Sequence, residues 1–183
     1  MLTLRALFLE GVANQYDCEL EIIRALAESA EEVGSTALVD LLRAYQRQEE
    51  LNLQRLEGIL KLLGHGPRVG YSEGFRGIAE QNFAKLTLFR GSVAGNASVV
   101  SSVRKAIHHQ IASFESLHSW AITLHTVEAA TKLESAVREQ YKSLGVFSAF
   151  AVAHSNNEAL DLVDVKSVDE AGVDKSRLVP SPD

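Results

Sequence analysis

Glu19, Glu49, Gln110 and Gln140 each interrupt a long apolar seam near its middle, and they are the residues best placed to do chemistry. Burying a carboxylate or an amide costs several kcal/mol unless it is hydrogen-bonded or bound to a metal. Four such groups at similar depth should therefore meet in one central polar layer. Carboxylates in that setting can ligate and bridge metal ions, or they can accept hydrogen bonds from amides. The two glutamines bear on the choice: neutral amides are poor ligands for hard cations beside carboxylates but good donors to them. Gln110 and Gln140 are expected to donate to Glu19 and Glu49 and to close the layer without metal. Glu19 should then have its pKa raised, because desolvation outweighs bonds from neutral donors such as Gln110, Gln140 and Tyr16.

The elements that must position these residues are legible as spacings of three and four. The first seam reads Leu9, Val12, Tyr16, Glu19, Ile23, Leu26, Ala30 and Val33, and the second Val39, Leu42, Gln46, Glu49, Leu53, Leu56, Leu60 and Leu63. The third is Val100, Val103, Ile107, Gln110, Phe114, Leu117, Ala121 and Leu124, and the fourth Ala130, Leu133, Val137, Gln140, Leu144, Phe147 and Ala151. Each places its side chains on one helical face. Helices are expected over about residues 2–32, from the Ser35–Thr36 cap to Leu63, over 97–124 after an Asn96 cap, and over 127–153 after a Thr126 cap. Gly34 and Gly64 should stop the first two. A shorter helix over roughly 73–91, capped by Ser72, is expected between the two pairs. Two antiparallel pairs joined by one long crossover make an all-α, ferritin-like four-helix bundle, occupying residues 1–154. Beyond it, residues 155–183 form an acidic tail, with a half-alternating run at 160–165 that suits a short strand or an extended segment, and a disordered end.

Composition narrows the function. Tail residues carry net −4 of the chain's −6, so the helical body stands near −2 and has no basic stripe for nucleic acid. A single cysteine, Cys18, excludes an internal disulfide and suits a reducing cytoplasm. The first residues lack the pattern of a signal peptide, and no apolar run reaches the roughly 20 residues of a membrane span. Phosphate-binding glycine loops, nucleophile elbows and zinc spacings are missing, which sets hydrolase and kinase chemistry aside. Glu115 and His118 have the i, i+3 spacing of a ferritin-like metal motif, but lie more than a turn beyond Gln110 and suit the bundle rim. Cys18 reads as a small buried thiol. Phe83, Leu86, Leu88 and Phe89 exceed what a four-helix core can take, so a homodimer is expected.

The stretches Tyr16–Leu26, Gln54–Glu57 with Leu62-Leu63-Gly64, Lys105–Phe114 and Arg138-Glu139-Gln140 resemble the YciE/YciF-type stress proteins, a ferritin-like family. The resemblance covers about residues 4–153 and implies a four-helix bundle, a stress-linked role and a dimer. It also implies a di-metal site drawing a carboxylate from each helix, with two histidines. Glu19 and His108 match that pattern. Ile107, Gln110 and Gln140 stand where the family has glutamates, and Glu139 lies one position off the seam. Two readings follow. One is a non-enzymatic, stress-related bundle whose site is replaced by a Glu/Gln layer. The alternative is an iron- or manganese-binding oxidoreductase using Glu19, Glu49, His108 and Glu139.

Overall fold

The computed structural model describes residues 3–67, 77 and 92–155. Four helices account for nearly all of them: α1 Leu4–Glu32, α2 Thr36–Leu62, α3 Val93–Thr123 and α4 Val127–Phe150, the last continuing into a π-helical turn, Ala151–Ser155. No strand occurs among the described residues. The shorter helix expected over 73–91, with Phe83, Leu86, Leu88 and Phe89, lies outside the described residues apart from the helical Gly77, as does the tail beyond 155.

Local chemistry explains where the helices begin and end. Thr3, Ser35 and Ser92 each accept a backbone N–H three residues on, capping α1, α2 and α3. The third helix thus starts at Ser92, four residues before the expected Asn96 cap. Thr126 makes no side-chain cap; its hydroxyl instead donates to the Ala121 carbonyl at 3.0 Å. Gly64, with φ 82°, ends α2 in a Schellman motif: its N–H reaches Lys61 O and that of His65 reaches Leu60 O. His125 does the same after α3 with φ 55°, its N–H on Ile122 O and that of Thr126 on Ala121 O. Gly34 differs from the expectation: Val33 leaves α1 in an extended conformation and no left-handed residue is used there.

Two apolar clusters fix the topology. One gathers Ile22 and Leu26 of α1, Leu38 and Leu42 of α2, Val99 to Ile107 of α3 and Phe147 of α4. The other gathers Phe8 and Val12, Leu56 to Leu60, Phe114 to Ala121, and Ala129 to Ala136. Hence α1 is antiparallel to α2 and α3, and α4 runs with α1. Because α2 and α3 point the same way, the end of α2 and the start of α3 lie at opposite ends of the bundle, about 40 Å apart at 1.5 Å per residue. This is the one-crossover connectivity of ferritin-like folds. Each hairpin packs closely, and α1 lies against α3 and α2 against α4. Among the described residues no helix is long and apolar enough to cross a membrane.

Candidate functional site

Between the two apolar clusters lies a polar layer with a member from every helix. Glu19, Glu49, Gln110 and Gln140 are each 0% exposed. Gln110 Nε2 lies 2.8 and 2.9 Å from the Glu19 carboxylate oxygens and 2.5 Å from Glu49 Oε2. Gln140 Nε2 donates to Glu49 Oε1 at 2.8 Å, and Gln15 Nε2 to Glu19 Oε1 at 2.8 Å. The Tyr45 hydroxyl closes the ring from beneath, 2.6 Å from Gln110 Oε1 and 3.0 Å from Gln140 Oε1. Its single proton serves one carbonyl at a time. The orientation of both amides follows from this: nitrogen toward carboxylate, oxygen toward phenol.

Glu19 is held well above the usual carboxylate range, first by burial, then by the charge of Glu49 and a hydrogen bond with it; donation from Gln15 and Gln110 pulls the other way. Tyr45 is likewise raised well above the ordinary phenol, by burial first and then by Glu49 and Glu19. The direction at Glu19 is the one expected from desolvation. Its causes differ in two respects. Gln140 bonds Glu49 rather than Glu19, and Tyr16 lies outside the layer, donating to Glu57 Oε1 at 3.0 Å.

A second cluster ties α2 to α4 beside the layer. Arg55 forms a forked pair with Glu139, its Nη2 2.8 Å from Oε1, and Gln48 also donates to that carboxylate. Arg55 Nη1 reaches Asn52 Oδ1 at 2.6 Å. Asn52 is fully buried, and its Nδ2 has no hydrogen-bond partner among the described residues. Of the four residues in the metal-binding alternative, Glu19 and Glu49 adjoin each other. Glu139 is turned to Arg55, and His108 is exposed on the outer side of α3. Glu115 is exposed and accepts the Tyr141 hydroxyl at 2.8 Å. Cys18 is buried. Among the described residues no three His, Cys, Asp or Glu side chains gather closely enough to hold a metal ion.

Tyr45, Gln15, Asn52 and Arg55 did not emerge from the seams. Gln15 and Tyr45 stand four residues before Glu19 and Glu49, a spacing at which helical side chains meet. Nothing local distinguished Tyr45 from Gln46, since positions three and four before Glu49 share its face. Packing turns the phenol inward, and Gln46 bonds Glu50 at 3.2 Å.

Residues 3–160 match the family described as a domain of unknown function, DUF892. The chain belongs to that family. Among solved structures it is similar to the E. coli stress protein YciF, with TM-score 0.80 and 19% identity over 86% of this chain and 99% of that one. It is similar also to YcfI of Rhodopseudomonas palustris, with TM-score 0.77 and 20% identity over 80% of this chain and 94% of that one. At such identities the likeness establishes the four-helix fold. A comparison with curated proteins gives no match.

Proposed function

We propose that this family member is a non-enzymatic, stress-related bundle protein whose central layer is a metal-free hydrogen-bond network. One observation carries the reading. All four carboxylate oxygens of Glu19 and Glu49 accept an amide N–H: Gln15 and Gln110 serve Glu19, and Gln110 and Gln140 serve Glu49. A cation needs those same lone pairs, and the positive ends of the N–H dipoles point at the place it would occupy. The amide oxygens, the only other ligand atoms the glutamines offer, face the Tyr45 hydroxyl, which donates to one of them at a time. The donor set does not suit a di-metal centre. The stress link rests on the likeness to YciF.

Two measurements test this. Protein purified from iron-supplemented cells should carry far less than one iron or manganese per chain. Stoichiometric metal, with an oxo-bridge absorption band, would defeat the proposal. In a strain lacking the protein, a Glu19→Gln copy should restore stress survival as fully as the parent copy. Rescue by the parent alone would indicate that the carboxylate itself performs chemistry.

A further inference from the structure

We infer that Gln110 is the residue that keeps divalent cations out of the layer, its amide nitrogen standing where a bridging ion would be held. This deepens the metal-free reading above and rests on it. Three carboxylate oxygens from two helices converge on that one atom, at 2.8, 2.9 and 2.5 Å. Protein-bound divalent cations sit about 2.0–2.6 Å from oxygen ligands, so the ion and the amide nitrogen compete for one place. An amide has two hydrogens. One serves Glu49 Oε2, and the other is shared between the two Glu19 oxygens.

No other donor in the layer does this. Gln15 Nε2 touches Glu19 only, and Gln140 Nε2 touches Glu49 only. Each leaves the position between the carboxylates open. Gln110 is also held in its blocking orientation, because turning the amide over would set its oxygen against Glu19 and Glu49 and its NH2 against the Tyr45 hydroxyl. The 2.6 Å bond from Tyr45 to Gln110 Oε1 opposes that turn. A glutamate has the same length and branching. At position 110 it would keep the bond from Tyr45, remove both blocking hydrogens and supply a third buried carboxylate. A cation would then be required where an amide now suffices.

The test uses the full chain and Mn2+ alone as probe, following thermal melting and equilibrium binding with Mn2+ or with EDTA. The parent should melt at one temperature in both. Gln110→Glu should melt below the parent in EDTA and rise by about 5–10 °C in Mn2+, the shift given by ligand at roughly a hundredfold its Kd for a domain of this size. Gln140→Glu should respond much less. If Gln110→Glu fails to fold in both solutions, Gln110→Ala decides, since it clears the same position without adding charge and should bind Mn2+ where the parent does not. Mn2+ binding by the parent overturns the metal-free reading and this inference together. A silent parent with silent Gln110 variants leaves the metal-free reading standing and overturns the role given to Gln110.

Discussion

At the scale of single residues, the layer is a problem of charge without a counter-charge. The charge acting on Glu19 is that of another carboxylate, Glu49, and its neighbours from α1 and α3 are neutral amides. Among the described residues, the nearby cation Arg55 is spent on Glu139 and Asn52. Glu19 therefore binds its proton more tightly folded than unfolded, which sets the sign of its pH dependence. Its contribution to stability is full below the unfolded pKa and is lost as pH rises through the higher folded value. Glu19→Gln removes that loss. Its amide oxygen can accept from Gln15 and Gln110, and its NH2 can donate to Glu49. The variant should be more stable than the parent at pH 7.5, with the gain shrinking toward pH 5 as the parent's carboxyl takes up its proton. Denaturant titrations at the two pH values check this; a variant that loses stability at pH 7.5, with EDTA reproducing the loss in the parent, would mean that a bound metal had been disrupted.

At the scale of elements, two glycines of similar sequence appearance should behave in opposite ways. A Cβ on Gly11 would lie 2.9 Å from Leu117 Cδ2 and 3.1 Å from the Trp120 ring, because α1 approaches α3 closely there. On Gly58 it would meet nothing nearer than the Lys132 methylenes at 3.6 Å. In an open helix, alanine is favoured over glycine by up to about 1 kcal/mol. Gly58→Ala should realise much of that gain, whereas Gly11→Ala should cost about 1–3 kcal/mol through overpacking. Parallel urea titrations of both variants would show the opposite shifts. The α3–α4 turn offers a third test. His125 holds a left-handed backbone, φ 55°, where glycine is the usual residue of the motif. The left-handed penalty for a side chain is about 1–2 kcal/mol, so His125→Gly should raise the melting temperature, less the entropy that glycine adds to the unfolded chain. A fall would mean that the imidazole makes a compensating contact.

At the scale of the whole molecule, the bundle leaves apolar side chains exposed toward both ends. Leu7 begins α1, Leu62 ends α2, Ile122 ends α3 and Val127 begins α4, and each is about half exposed or more, Val127 reaching 76%. Singly, such residues are ordinary on a surface, and Val93, Val146 and Val152 are exposed toward the opposite end; the homodimer we propose rests on the apolar excess of the sequence and is tested by mass. Light scattering at micromolar concentration should return twice the chain's 20.0 kDa. A monomeric mass would dispose of the dimer.

The sequence by itself determined the four helices, their approximate limits and the depth at which polarity enters the core. Seam spacing reports which face of a helix is buried, and every third-seam position from Val100 to Ala121 is buried. It also singled out Glu19, Glu49, Gln110 and Gln140, because a polar residue in the midst of an apolar stripe stands out against its own helix. What it could not contain was the relation between helices. Periodicity assigns a face about 100° wide, which does not choose Tyr45 over Gln46 or Asn52 over Leu53. Nor does it tell which carboxylate each amide will reach. Those choices were made where four helices meet at a fixed rotation. There Gln110 spans both carboxylates, Gln140 reaches only Glu49, and the Tyr45 hydroxyl faces both amide oxygens, because the rotation of each helix against the others decides which side chains come within hydrogen-bond reach.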